Sequence, residues 1–167
     1  FKNPYIVSLV SSVLDETGLP PHLLELEITE SILMDNEEEC ERILKSFRAM
    51  GIKTAIDDFG TGYSSLSYLK KFAVDRIKID RTFIKEIPEK DDGAIAKVII
   101  ELATVLHIDV LAEGVETEKQ MDFLVKNSCS LAQGYLFSRP LSEEVVTDFI
   151  EKNAESGRDD ASHISEM

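Results

Sequence analysis

The strongest constraint on this chain is an alternation that repeats five times: short segments with apolar residues at every second position, followed by longer ones with apolar residues at helical spacing. Residues 23–29 set Leu24, Leu26 and Ile28 against Glu25, Glu27 and Thr29, the signature of a strand. Asn36 and Glu39 form a capping-box-like pair that opens a helix, with Cys40, Ile43, Leu44, Phe47 and Met50 on one face and Gly51 as its stop. The same reading predicts strands over 53–58, 74–80, 109–112 and 130–137. Between them it predicts a short helix over 64–72, a helix striped by Ile95, Val98, Ile99, Leu102, Ala103 and Leu106, and one opened by the Thr117–Gln120 capping box. A helix over 5–17 leads in, and a last helix capped by Ser142 carries Val145, Val146, Phe149 and Ile150. Alternation of this kind implies an α/β chain with a parallel sheet and right-handed crossovers.

The chain has 167 residues, enough for one domain with a sizeable core. Its formal charge of −14 argues against sequence-independent binding to DNA, RNA or anionic lipid, which needs surplus cations. A small phosphorylated ligand held through bound metal ions is still compatible, because such ions reverse the local sign of charge. Two cysteines, Cys40 and Cys129, have no CxxC spacing, and with no long apolar run or signal peptide a cytoplasmic setting is expected, with no direct membrane contact in this segment. The chain opens at Phe1 in mid-pattern, which reads as part of a longer protein, itself open to membrane anchoring through other domains. Beyond Asn153 the composition turns small and polar, so 154–167 is expected to be a disordered tail behind a domain over 1–153.

Polar residues gather at the C-terminal ends of the predicted strands: Glu27, Asp57, Asp58, Lys78, Asp80, Glu113 and Gln133. Loops after parallel strands converge on one rim, where α/β sites are built. Glu27, Asp57, Asp58 and Glu113 are hard oxygen donors without Cys or His nearby, which favours Mg²⁺ or Mn²⁺ over Zn²⁺. Asp57 suits a carboxylate bridging two ions and Asp58 a ligand of the second; two metals about 3.5–4 Å apart clamp the attacking and leaving oxygens of a phosphoryl displacement. Lys78 can orient a metal-bound water and neutralise transition-state charge, or simply pair with Asp80 on the rim. Glu30 is placed to accept from backbone amides of the Gly60–Gly62 loop. Glu116 fits either the site or a favourable charge at the start of the next helix, and Gln133 either a hydrogen bond to water or phosphate or a structural amide. Asp58-Phe59-Gly60 spells a kinase signature, but its companion motifs are missing, and Gly60-x-Gly62 lacks the lysine of a P-loop.

Five stretches, in order, are Leu24-Glu25-Leu26-Glu27-Ile28-Thr29-Glu30-Ser31, Ile56-Asp57-Asp58-Phe59-Gly60-Thr61-Gly62-Tyr63-Ser64-Ser65-Leu66, Ile77-Lys78-Ile79-Asp80, Ala112-Glu113-Gly114-Val115-Glu116-Thr117 and Gln133-Gly134-Tyr135. Together they resemble the motifs of the EAL domain family, bacterial phosphodiesterases that cleave cyclic di-GMP to linear pGpG on a modified TIM barrel. The resemblance implies metal ligation by Glu27 and Asp57, with Asp57 shared between two ions, and a second-metal position for Asp58 and Glu113. Glu113 is also matched to a general base, Lys78 to the lysine holding the attacking water, Gln133 to a glutamine near the scissile phosphate, and Glu30 to the glutamate steadying the loop. Asp80 and Glu116 match positions with less settled roles, in substrate or metal binding. The Gly60–Ser65 segment resembles the link to a dimer interface, which implies a homodimer.

The chain also departs from the pattern. The Glu-Ala-Leu motif, its following Arg and a later Asn-x-Ser are absent from this sequence. A complete TIM barrel takes about 250 residues. The expectation is therefore the C-terminal five strand–helix units of the barrel, incomplete and open, from a phosphodiesterase that is inactive as this fragment alone. The competing readings are a catalytically dead cyclic di-GMP receptor and a dimerising scaffold; either would be expected to lose the Asp pair or Lys78, and both are kept.

Overall fold

In the computed structural model, residues 3–62, 69, 71–90 and 92–151 are described. Five strands, β1 (Glu25–Thr29), β2 (Lys53–Phe59), β3 (Arg76–Ile79), β4 (Asp109–Glu113) and β5 (Leu131–Gln133), form one sheet in chain order. Every neighbouring pair is parallel, as the alternation requires. The helices are α1 (Ile6–Thr17), α2 (Glu30–Asp35), α3 (Glu37–Met50), α4 (Ala94–Leu106) and α5 (Glu118–Lys126). The chain divides into two compact units, Phe1–Leu136 and Phe137–Met167. In the second, helix α6 spans 143–151, its first turn closed by Val146 N–H donating to Ser142 O, with Val145, Val146, Phe149 and Ile150 exposed. The expected helix over 64–72 and the tail at 154–167 lie largely or wholly outside the described residues.

Alternate strand residues build the core of the first unit. Ile28, Ile56, Ile77, Ile79 and Ala112 are buried on one face of the sheet, together with Leu44 of α3, Ile99, Ile100 and Ala103 of α4 and Leu124 of α5. Each fully buried isoleucine contributes about 1.5–3 kcal/mol from the area it removes from water. A second cluster joins Leu14 of α1 to Ile43, Phe47 and Ile52. Cys40 and Cys129 are free thiols buried in the core, and burial pushes both pKa values up.

The helix boundaries have local causes. The Asn36 side chain accepts from Glu39 N–H, and Glu37, Glu38 and Glu39 place negative charge in the first turn of α3. Gly51 ends it in the left-handed conformation at φ 83°, where a side chain would be strained. The reciprocal Thr117–Gln120 capping box is present at α5.

The structure departs from these expectations in several places, beginning with β3, which runs Arg76–Ile79 rather than 74–80. The first strand starts at Glu25, because Pro21–Leu23 forms a 3₁₀ turn. Glu30 opens a further helix, α2, in a stretch for which the sequence pattern predicts no element. The buried face of α4 is Ala96, Ile99, Ile100 and Ala103, while Ile95 and Val98 are exposed; the helix is apolar nearly all round, so spacing alone does not set its phase. The last strand stops at Gln133 rather than Phe137, since Gly134 crosses close above Val115, where an added Cβ would lie 2.1 Å from the Val115 carbonyl oxygen. No helix among the described residues is long and apolar enough to cross a membrane. Beside β1, an apolar groove of about 680 Å³ is lined by Leu9, Val13, Leu19, Pro20, Leu24 and Leu26.

Candidate metal centre

The sheet face opposite the core is charged. In register, Thr29 of β1 pairs with Asp57 of β2, Lys78 of β3 with Leu111 of β4, and Glu113 of β4 with Gln133 of β5. Consecutive residues of a regular strand face opposite ways, which would separate Asp57 from Asp58. Strand β2 solves this with a bulge. Ile56 pairs with Ile77 and Phe59 with Ile79, so Asp57 and Asp58 together oppose the single residue Lys78. Asp58 takes a left-handed backbone at φ 54°, a conformation that aspartate tolerates better than most residues. The result is that Asp57, Asp58 and Glu113 each present a carboxylate oxygen within 4.8 Å of the others.

Lys78 sits among them, only 5% exposed. Its Nζ lies 2.7 Å from Glu27 Oε2, 2.8 Å from Glu113 Oε1 and 3.0 Å from Asp57 Oδ1. Burial acts to lower the Lys78 pKa, but the hydrogen bonds to Glu113 and Glu27 and the nearby Asp57 outweigh it and hold the group above the ordinary lysine range. The ammonium is therefore a fixed positive charge and no general base here. Glu27 reaches the cluster through Lys78.

Asp58 has its pKa raised, first by burial and then by the charges of Asp57 and Asp80, with Lys78 opposing. Asp80 goes the other way. Burial raises it, but the Thr82 hydroxyl, the Thr82 N–H at 2.9 Å and the charge of Arg81 outweigh that and lower it. Asp80 thus caps the 3₁₀ turn Arg81–Phe83 and is no partner in an ion pair with Lys78 among the described contacts.

The supporting residues separate clearly. Glu30 is buried and accepts from Gly60 N–H at 3.3 Å, and a Cβ on Gly62 would stand 3.1 Å from Glu30 Oε1. The loop residues 63–65 lie outside the described residues. Gln133 Nε2 donates to Glu113 Oε1 at 3.4 Å. The Glu116 carboxylate is exposed and outside the trio; its backbone N–H donates to Gln120 Oε1. Gln120 is the buried structural amide: Oε1 accepts from Glu116 and Thr117, and Nε2 donates to the carbonyls of Ile84 and Lys85. Sequence reasoning saw its cap and missed its second half.

It also missed Arg76, which pairs with Glu25 at 2.9 Å. The signal was available: Glu-Leu-Glu on one strand and Arg-Ile-Lys on another are opposite charges at matching period-2 spacing. The donor set suits a hard divalent cation. Asp57 Oδ1 is buried with Lys78 Nζ at 3.0 Å and no hydrogen bond of good geometry, and Asp57 belongs to the same trio of carboxylates.

The EAL domain family model matches residues 1–140. The chain belongs to the EAL domain family. It is 47% identical over 146 residues to the cyclic di-GMP phosphodiesterase NbdA of Pseudomonas aeruginosa, covering 87% of this chain and 19% of that protein. The PaMucR phosphodiesterase in complex with c-di-GMP superposes with a TM-score of 0.82 at 42% identity, over 86% of this chain and 59% of that one. BlrP1 of Klebsiella pneumoniae, in a manganese and cyclic di-GMP complex, gives 0.76 at 37% identity, over 84% and 36%. The five-stranded sheet is thus part of a TIM-barrel-like EAL domain, and this chain spans about a fifth of the length of the curated relatives it matches.

Proposed function

We propose that this EAL chain carries the acidic half of a two-metal centre that, in a complete domain, hydrolyses cyclic di-GMP to linear pGpG. The observation that carries the reading is the β2 bulge, which brings Asp57 and Asp58 together beside Glu113 over a buried Lys78. In this reading Glu27, Asp57, Asp58 and Glu113 hold Mg²⁺ or Mn²⁺, with Asp57 shared. Bound there, two such ions would activate a water and stabilise charge on the phosphodiester oxygens. Lys78 adds a positive charge among these acids, which hold its pKa high while no ion is bound. Glu113, hydrogen-bonded by Gln133, is the candidate to take a proton from the attacking water. Glu30 holds the Gly60 end of the neighbouring loop, and Asp80, engaged with Thr82, orders the turn after β3.

The same reading makes this chain the C-terminal portion of the barrel and leaves it inactive by itself, because the Glu-Ala-Leu glutamate and the Asn-x-Ser asparagine are not in it. It also includes a homodimer through the Gly60–Ser65 region. The apolar hollow of about 440 Å³ lined by Phe59, Gly60, Ile95, Val98 and Leu102 supports that, with Ile95 and Val98 exposed beside the loop.

The test is an assay of the full-length protein on cyclic di-GMP with Mg²⁺ or Mn²⁺, beside its Asp57→Ala variant. The wild type should yield pGpG and the variant should lose at least about a hundredfold in turnover. Absence of pGpG from the wild type would sink the enzyme reading. Metal-dependent turnover by the 167-residue chain would show that the missing ligands are dispensable.

A further inference from the structure

Strand β3 carries two cations on the charged face, two residues apart, and each is stretched between acids of other strands. Lys78 contacts Glu27 of β1 and Glu113 of β4. One layer toward the strands' N-terminal ends, Arg76 Nη1 lies 2.9 Å from Glu25 of β1 and Nη2 lies 3.7 Å from Asp109 of β4. Both cations reach β1 across β2. Ala55, in register with Glu27 on one side and Arg76 on the other, is fully buried and small enough to let them pass.

The lower pair is not an ordinary surface ion pair. The Arg76 side chain is 20% exposed and that of Glu25 24%, whereas Asp109 is mostly exposed, so Glu25 is the firmer grip. Arg76 Nε is buried without an acceptor, which is destabilising by itself. The guanidinium is held by what its ends grip rather than by full use of its donors.

Strand β1 is hydrogen-bonded to β2 alone among the described strands. A slip of one residue would turn Glu27 to the wrong face. A slip of two would keep the face, and a single rung would not prevent it. With two rungs it leaves either Arg76 against Leu23 or Lys78 against Thr29.

We propose that Arg76 is a positioning residue: its grip on Glu25 fixes β1 against β3 and thereby sets where Glu27 meets Lys78. The proposal rests on the two-metal reading for its importance, and its test separates the two.

Two readouts on the chain decide it: the ¹H–¹⁵N signal of the Lys78 ammonium without metal, and Mn²⁺ affinity by titration with electron paramagnetic resonance. Arg76→Met should displace or broaden the ammonium signal and weaken Mn²⁺ binding about tenfold or more, the usual cost of losing a residue that orients ligands. Arg76→Lys should restore the signal and most of the affinity, which a packing role alone would not predict. Should Arg76→Met fail to fold, Glu25→Gln preserves the volume and should reproduce both changes. A folded Arg76→Met or Glu25→Gln with the Lys78 signal and the Mn²⁺ affinity unaltered overturns the proposal, as does an unprotected Lys78 ammonium in the unaltered chain. A protected Lys78 in a chain that binds no Mn²⁺ would mean that the ion needs the ligands absent from this sequence; the pGpG assay of the full-length protein would then decide the two-metal reading, and the ammonium signal alone would decide for or against Arg76.

Discussion

The two faces of the same strands differ in what they hold. On β3, Ile77 and Ile79 are wholly buried against helices, while Arg76 and Lys78 between them face carboxylates from strands on either side. The first pair stabilises the fold by removing area from water; the second holds like charges close together at a cost to the fold. Parallel sheets can separate the two tasks residue by residue because the side-chain period is two. The contrast predicts that a core variant loses stability that no ion restores, whereas a rim variant loses something a divalent cation can return.

The largest effect is expected for Ile77→Ala, a cavity at a residue with no exposure, which should cost about 2–5 kcal/mol in chemical denaturation, with or without Mn²⁺. Lys78→Met comes next. It leaves Glu27, Asp57 and Glu113 without their shared cation and should cost about 1–3 kcal/mol, less than a fully buried pair because the acids are partly exposed. Millimolar Mn²⁺ should recover most of that loss; if it does not, these acids do not hold an ion by themselves and the contrast between the faces collapses for this chain.

A smaller effect concerns pH. The folded chain holds the Asp58 proton more tightly than the unfolded chain, so stability should fall as pH rises from the ordinary aspartate value through the raised one. Asp80 has the opposite sign: its contribution is present above the ordinary aspartate value and is lost as pH falls through its lowered one. Asp58→Asn should flatten the first slope in urea titrations at several pH values, and so should saturating Mn²⁺. The smallest effect is Gly62→Ala, below about 1 kcal/mol, since its Cβ must displace a carboxylate oxygen rather than backbone. It should appear as faster hydrogen exchange at Gly60 N–H, with no change at Ile77.

Much of this was legible in the sequence because it is local. Period-2 and period-3.6 patterns gave the strand order, the capping boxes placed α3 and α5, and the acids at strand ends marked the rim. What escaped depends on partners far away in the chain. The shortened β5 follows from Gly134 crossing Val115, and the phase of α4 from which side met the sheet. Asp80 read as a partner for Lys78, yet its neighbour Thr82 claims it and three acids from other strands claim the lysine. Arg76 and Glu25 are 51 residues apart, and only the register of the sheet brings them together.

The bulge in β2 makes the site sensitive to chain length in a way substitution would not reveal. Deleting either Asp57 or Asp58 would let the β2–β3 ladder heal into a regular strand, with Ile56 and Phe59 still able to pair with Ile77 and Ile79. The shortened chain would keep one acid opposite Lys78 and gain a straighter sheet, yet it could no longer set two neighbouring carboxylates on one side. Neighbours in this sequence are neighbours in space only because the strand carries one residue more than its partner.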